Sequence, residues 1–183
     1  MSRKRSVIFF LALFVASVAC CDAQVAPSAV RRQFTVTAGG LGSLFRTDYG
    51  SNNLFGVGAF VDVKFTRWVQ AEAEGRWLRF NQAEDVWQDN YLIGPRVPIH
   101  TFGRITPYGK VLVGMGSMNF QYNYAYGRFT DIAYGGGLDV QLTRRIAVRP
   151  IDFEYQQWPH WVDGALYPWG FSAGVSYRVF GGR

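Results

Sequence analysis

The stretch from Trp68 to Phe80, WVQAEAEGRWLRF, changes polarity at every residue and therefore predicts an extended strand with two unlike faces. One face carries Val69, Ala71, Ala73, Gly75 and Trp77. The opposite face carries Gln70, Glu72, Glu74 and Arg76. A helix would mix these two sets, because its side chains repeat every 3.6 residues rather than every second one. The segment from Phe55 to Phe65 repeats the alternation, so the chain is predicted to consist of amphipathic β-strands.

The N-terminus has the layout of a secretory signal peptide. Basic residues at positions 3–5 precede an apolar run from Val7 to Val18, and small residues lead to a predicted cleavage point after Ala23. The run is too short to cross a bilayer, which takes about 20 apolar residues. We therefore expect a cleaved signal over residues 1–23 and a mature chain over residues 24–183. A retained anchor, or a lipoprotein signal at Val18-Ala19-Cys20, is the alternative.

Both cysteines, Cys20 and Cys21, lie in the segment that we expect to be removed. The mature chain would then have no disulfide, no thiolate nucleophile and no cysteine metal site. Its formal charge would fall from +6 to +4, which gives no indication of a nucleic-acid partner. Past the N-terminal run, charged residues interrupt every apolar stretch, so a membrane could be crossed by strands alone.

Eight extended segments follow, each long enough for the roughly 9 to 11 tilted residues that cross the hydrocarbon layer. They are predicted at Gln33–Phe45, Asn53–Phe65, Trp68–Phe80, Gln88–Ile99, Ile105–Phe120, Phe129–Leu142, Arg145–Trp158 and Pro168–Phe180. In the seventh, the register slips at Arg149-Pro150-Ile151, which indicates a bulge that returns Asp152, Glu154 and Gln156 to the polar face.

The connections alternate in length, as the short turns and long outer loops of an outer-membrane barrel do. Short turns are expected at Phe65–Trp68, His100–Arg104 and Leu142–Arg145. Longer loops are expected at Arg46–Asn52, Asn81–Trp87, Gln121–Arg128 and Pro159–Tyr167. Aromatic residues gather at both ends of the strands, where a bilayer favours Trp and Tyr. Members of these belts include Phe45, Trp158 and Trp169 at the loop ends and Phe65, Trp68 and Tyr108 at the turn ends.

The polar faces carry equal numbers of acidic and basic residues, which favours a network of ion pairs across the lumen over an ion-selective pore. The members are Asp62, Lys64, Glu72, Glu74, Arg76, Arg96, Lys110, Asp139, Arg149, Asp152, Glu154 and Arg178. The lumen of an eight-stranded barrel is just wide enough for side chains to fill it. The sequence therefore predicts an all-β, eight-stranded antiparallel up-and-down transmembrane β-barrel with a plugged, charge-paired interior.

Three motifs give the mature chain a family resemblance over nearly its whole length. They are VQAEAEGRW at 69–77, TPYGKVLVGMG at 106–116 and IAVRPIDFEYQQW at 146–158. With them the chain resembles the small outer-membrane beta-barrel domain family, which includes the OmpA transmembrane domain and OmpX. The resemblance implies an outer-membrane location in a Gram-negative cell, a monomeric barrel and a role in envelope integrity or surface contact. One departure is Gly181-Gly182-Arg183 after Phe180, where such barrels usually end on an aromatic residue.

No motif predicts chemistry, a cofactor or a metal. The two histidines are His100, in an expected turn, and His160, in the last outer loop, and no His/Asp/Glu group shows ligand spacing. We expect a non-enzymatic protein in contact with outer-membrane lipid and lipopolysaccharide, and with a host or surface ligand through its loops. Candidate loop contacts are Tyr122, Tyr124, Tyr126, Trp158, His160 and Trp161. The alternatives are a lipid-modifying enzyme that uses His160 and Asp163 with a serine, a narrow pore, and a soluble lipocalin-like carrier.

Overall fold

The computed structural model describes residues 34–48, 53–66, 68–80, 86–119, 126–161 and 164–181, apart from the side chains at 160, 161 and 164. The predicted signal segment lies outside them. The strands are β1 Thr35–Arg46, β2 Asn53–Lys64, β3 Gln70–Leu78, β4 Trp87–Pro98, β5 Ile105–Asn119, β6 Tyr126–Gln141, β7 Ile146–Trp161, β8 Gly164–Leu166 and β9 Trp169–Phe180. Across these ranges no helix has the length and apolarity needed to span a bilayer.

Eight of these strands form one closed antiparallel barrel. Each pairs with its neighbours in sequence from β1 to β7, β7 pairs with β9, and β9 returns to β1. The three-residue β8 pairs with the end of β7 outside this ring. The predicted fold class and the eight predicted strands are therefore confirmed. The main differences are that β6 begins at Tyr126 and β7 continues to Trp161, both beyond the predicted ends.

The barrel is apolar outside and ionic inside. Val57, Val61 and Val175 point outward with 44%, 39% and 55% of their surface exposed. Glu72 and Arg76, on the opposite face of β3, are fully buried. This is the reverse of a lipocalin, whose apolar side chains point inward around a ligand. The carrier alternative is therefore wrong.

A bulge in β7 keeps its charged residues on the inner face. The pairing of β7 with β9 shifts between Arg149 and Asp152, at the predicted position. Without the extra residue, Arg149 and Asp152 would face opposite sides of the sheet, since side chains alternate along a strand. With it, both are buried, and Glu154 and Gln156 follow on the same side.

In two of the short turns a threonine hydroxyl accepts hydrogen bonds from the backbone. Thr66 Oγ1 accepts hydrogen bonds from the backbone N–H groups of Trp68 and Val69, at 3.2 and 3.0 Å. Thr143 Oγ1 accepts equivalent bonds from Arg145 and Ile146, at 3.3 and 3.0 Å. A threonine hydroxyl that satisfies the N–H groups two and three residues later is a common way to close a turn.

Several aromatic residues expected in the lipid-facing belts lie inside the barrel. Phe45, Tyr108 and Trp158 are almost completely buried, because each shares the inward parity of its strand. The belt assignment is wrong for these three. Outward aromatic pairs do occur at both ends, such as Phe55 with Phe80 at the loop end and Phe34 with Phe65 at the turn end.

Candidate functional site in the barrel lumen

Lys110 of β5 is the centre of the ionic interior. Its Nζ donates hydrogen bonds to Glu72 Oε1 at 3.0 Å, Glu74 Oε2 at 3.0 Å and Asp152 Oδ2 at 2.8 Å. Glu154 Oε2 lies 3.3 Å away. Adjacent β6 makes room for this side chain with Gly135, where a Cβ would lie 3.1 Å from Lys110 Cε. The ammonium group of Lys110, which extends from β5, therefore links β3 and β7 across the lumen.

Two arginines hold the part of the lumen nearer the turns. Arg149 donates to Glu72 at 3.1 Å, Asp62 at 3.2 Å, Asp152 at 3.3 Å and Asp139 at 3.2 Å. Arg96 donates to Asp62 at 2.5 Å and also to Asp139, and its Nε is 3.7 Å from Glu72. Charge-assisted bonds of this kind are about twice as strong as neutral ones.

Arg76 holds the part nearer the loops. Its guanidinium makes a two-point contact with Glu154, at 2.8 and 3.2 Å, and also contacts Glu74. Above it lies a layer of amides, in which Gln88 donates to Gln156 at 3.1 Å and Gln156 donates to Glu154 at 2.8 Å.

Asp131 joins this layer by accepting a 2.5 Å bond from Asn90. Polar contacts thus continue from the ion pairs up to the level of Gln88.

Aromatic rings cover the buried guanidinium groups. Arg96 lies 3.7 Å above the ring of Tyr108, Arg149 lies 3.9 Å from that of Phe60, and Arg76 lies 4.2 Å from that of Phe45. Desolvated cation–π contacts contribute about 2 kcal/mol. The rings also fill space that water would otherwise occupy beside the ion pairs.

An apolar cluster lies across the loop end of the lumen. Its buried members are Phe45, Leu54, Leu78, Val86, Met118 and Trp158. Phe129 stacks on Trp158 with ring centroids 5.6 Å apart, and Leu166 packs against the same group. We call this group the apolar cap. It lies at the loop end of the lumen, beyond the amide layer.

Ten of the twelve predicted lumen residues are brought together in one connected set of ion pairs, and Lys64 and Arg178 are not. These two lie at the turn end, half-buried, and among the described residues neither forms an ion pair. The joined set has six carboxylates and four cations. The equal balance predicted from the sequence is therefore replaced by an acidic excess at the centre.

Three of these carboxylates are close enough to hold a metal ion, which the spacing in the sequence did not indicate. The ligand atoms of Glu72, Glu74 and Asp152 lie within 4.8 Å of one another. The ammonium group of Lys110 is within hydrogen-bonding distance of all three. It therefore supplies the positive charge that a metal would bring.

The predicted loop contacts are placed unevenly. Tyr126 is exposed at the start of β6, and its hydroxyl accepts a 3.3 Å bond from Arg128. Trp158 is fully buried in the apolar cap, so its predicted role as a surface contact is wrong. Tyr122, Tyr124 and the side chains of His160 and Trp161 fall outside the described residues.

The sequence prediction left out the neutral parts of the interior. Gln88 and Asn90 extend the network, Phe60 and Tyr108 stack on its arginines, and the acidic Asp131, which the predicted charge network also omitted, accepts a bond from Asn90. The sequence could have indicated these five residues, because each lies an even number of positions from a predicted lumen charge on its strand and therefore faces the same side.

An eight-stranded closed barrel with outward valines and a buried ionic lumen defines the class of transmembrane β-barrels of the outer membrane. The chain belongs to the outer membrane protein beta-barrel domain family, whose model matches residues 10–178. It is accordingly a protein of the Gram-negative outer membrane, as the sequence predicted. A search of curated proteins finds no match.

Solved structures with the same fold include three small outer-membrane barrels. Neisserial surface protein A has 12% identity and a TM-score of 0.61, over 79% of this chain and 96% of that one. The N-terminal barrel of Pseudomonas aeruginosa OprF has 15% identity and a TM-score of 0.56, over 80% and 99%. The attachment invasion locus protein Ail of Yersinia pestis has 18% identity and a TM-score of 0.51, over 81% and 99%.

Proposed function

We propose that this protein is a non-enzymatic, monomeric barrel with a closed lumen that serves envelope integrity or surface adhesion through its outer loops. The observation that carries the proposal is the position of Lys110, enclosed by four carboxylates midway along the lumen. A pore lining would be expected to favour one sign of charge and to leave it facing water. In this lumen both acidic and basic side chains are buried, and they form ion pairs with one another.

Two further features support a closed lumen. The rings of Phe60 and Tyr108 occupy space beside Arg149 and Arg96. The apolar cap lies beyond the amide layer at the loop end of the lumen, where its apolar side chains disfavour a hydrated ion.

We propose that the protein is not an enzyme because of what surrounds its titratable groups. The carboxylates of Glu72, Asp152 and Glu154 contact the cations of the lumen and line no cavity of the described residues. The ring of His100 stacks on Phe102 with centroids 4.6 Å apart, and among the described residues it has no serine or carboxylate partner. General base catalysis needs such a group within reach of the proton it removes.

Exposed aromatic and basic residues at the loop end support a role in adhesion. Tyr126 and Arg128 are exposed beside Trp87, whose ring lies 5.7 Å from that of Tyr126. The name of the Yersinia pestis barrel refers to attachment and invasion, although its likeness to this chain is one of fold. A ligand on a host surface, or lipopolysaccharide, is the proposed partner.

Recordings across a planar bilayer test the closed lumen. We expect no steady conductance from the purified protein, because ions would have to break the Lys110 contacts and cross the apolar cap. A variant with Leu54, Leu78 and Met118 replaced by serine is the comparison, since it removes much of the cap and leaves the ion pairs in place. Large, stable channels in the parent protein would contradict the proposal.

Adhesion is tested on intact cells that display the parent barrel or a variant with exchanged loops. The variant carries unrelated sequences at 47–52, 81–85, 120–125 and 162–163 together with Tyr126→Ser and Arg128→Ser, and its control carries exchanged residues in the short turn at 142–145. Loss of host-cell binding in the loop variant alone would support adhesion. Equal binding by all three proteins would leave envelope integrity as the proposed role.

A further inference from the structure

A cavity of about 300 Å³ occupies the turn end of the lumen, beneath the ion pairs. Its wall includes Lys64 of β2, Arg178 of β9, and Arg104 and Arg145 of two turns. We call it the turn-end cavity. The four cationic side chains come from separate parts of the chain and are brought together by barrel closure.

These four cations lack acidic partners. Among the described residues none of them forms an ion pair, and Arg178 Nε is buried without a hydrogen bond. Arg145 donates a 3.0 Å bond to the hydroxyl of Tyr177. Guanidinium groups normally have their N–H donors satisfied, so the guanidinium of Arg178 is available to donate to an acceptor in the cavity.

The carboxylates in the same wall are already engaged. Asp62 and Asp139 line the inner side of the cavity, and both are held by Arg96 and Arg149. These two carboxylates therefore neutralise cations of the ionic network rather than the four cations in the wall of the turn-end cavity. Thr37 and Thr106 add hydroxyl groups to the wall. The turn-end cavity combines positive charge with neutral donors.

We infer that the turn-end cavity binds an anion of the phosphate class. A phosphoryl group offers several acceptor oxygens that converging lysine, arginine and hydroxyl donors can bind together. The chemistry fits a free phosphate compound or the headgroup of an anionic phospholipid.

A second cavity favours the lipid source. It shares Arg145, Arg178 and Gln141 with the first, and it extends along Val179 and Phe180 on the outer surface. Both of these residues are strongly exposed, so acyl chains could lie against them while the headgroup reaches the arginines. A soluble phosphate would make no use of this apolar extension.

The test measures binding to the folded barrel in a zwitterionic detergent, by calorimetry, with two probes. One probe is inorganic phosphate and the other is a short-chain phosphatidylglycerol. We expect K64Q/R178Q to weaken binding of the preferred probe by about tenfold or more, since each lost charge-assisted bond contributes on the order of one tenfold step. Arg46→Gln, at the exposed loop end of β1, is the matched control and should bind as the parent does.

The two probes distinguish the source. Tighter binding of phosphatidylglycerol than of phosphate, lost in K64Q/R178Q, identifies a lipid headgroup site. Phosphate binding that the lipid does not exceed identifies a soluble ligand. Binding of neither probe, or binding unchanged in the double variant, overturns the inference. The single variant Arg145→Gln, at an exposed turn, repeats the test if the double variant does not fold.

Discussion

Lys110 is the cation that joins the two parts of the ionic interior, because it contacts partners of Arg76 and partners of Arg149. The network as a whole holds more carboxylates than cations. Removing a cation therefore increases an existing imbalance, whereas removing a carboxylate reduces it. The two kinds of substitution should differ in cost for this reason.

We predict that Lys110→Met lowers the free energy of unfolding by about 3–5 kcal/mol, the range seen when one partner of a buried ion pair is lost. Glu72→Leu should also destabilise the barrel, because Lys110 and Arg149 lose a shared acceptor, but by less. Urea unfolding in lipid vesicles, followed by tryptophan fluorescence, measures both.

Lys64→Met is the control, since this inward lysine has no ion pair within the described part of the chain. Its unfolding free energy should stay within about 0.5 kcal/mol of the parent value. Equal stability of Lys110→Met and the parent protein would indicate a lumen filled with water rather than one closed by ion pairs.

The turn between β6 and β7 depends on one hydroxyl group. Thr143→Val removes the acceptor for the N–H groups of Arg145 and Ile146 and keeps the shape of the side chain. We expect a loss of about 1 kcal/mol, the net contribution of a typical hydrogen bond. Thr143→Ser retains the hydroxyl and should stay near the parent in the same urea titration. A valine variant as stable as the serine variant would show that the turn is set by the strands alone.

The pairing of β4 with β5 depends on Gly114. A Cβ at this position would lie 1.9 Å from the carbonyl oxygen of Tyr91, so the strands would have to separate. We expect Gly114→Ala to cost about 3 kcal/mol, as overpacking does. At Gly109 of the same strand the nearest atom would be 4.0 Å away, and Gly109→Ala should be tolerated. The heat-dependent shift in gel mobility reports folding of both variants, and equal behaviour would contradict the close approach.

The strands and their inner faces could be predicted from the sequence, because alternation with a period of two is a local property. The bulge at Arg149-Pro150-Ile151 was readable in the same way, as a break in that alternation. Which cation meets which carboxylate was not readable. Arg76 and Glu154 lie 78 residues apart in the chain, and barrel closure alone brings them together.

The apolar cap was not predicted from the sequence, for a related reason. Leu54, Leu78 and Trp158 occupy inward positions where the pattern predicts polar residues or a lipid-facing belt. Alternation distinguishes two faces and gives no information about depth along the lumen. The change from ionic to apolar contents near the loops therefore appears first in the structure.

The whole barrel presents an apolar exterior that only lipid or detergent can cover. Val175 lies near the middle of β9, opposite Gly40 of β1, and it is exposed. We predict that Val175→Arg lowers the unfolding free energy in vesicles by about 2–4 kcal/mol, the cost of a cation at the bilayer midplane.

Val175→Leu, which keeps the exterior apolar, should leave stability near the parent value. If the arginine variant were equally stable, or if the parent protein stayed dissolved without detergent, the exterior of this barrel would not be facing hydrocarbon.

The long sequence separation of the ion pairs limits how this chain can enter its membrane. A single β3 strand placed in hydrocarbon would carry Glu72, Glu74 and Arg76 without the partners that β5 and β7 supply. Isolated ionised groups in such a medium are very costly. We therefore expect insertion to proceed with neighbouring strands already curled around a shared hydrophilic interior, and reopening of the finished cylinder would expose that interior to oil.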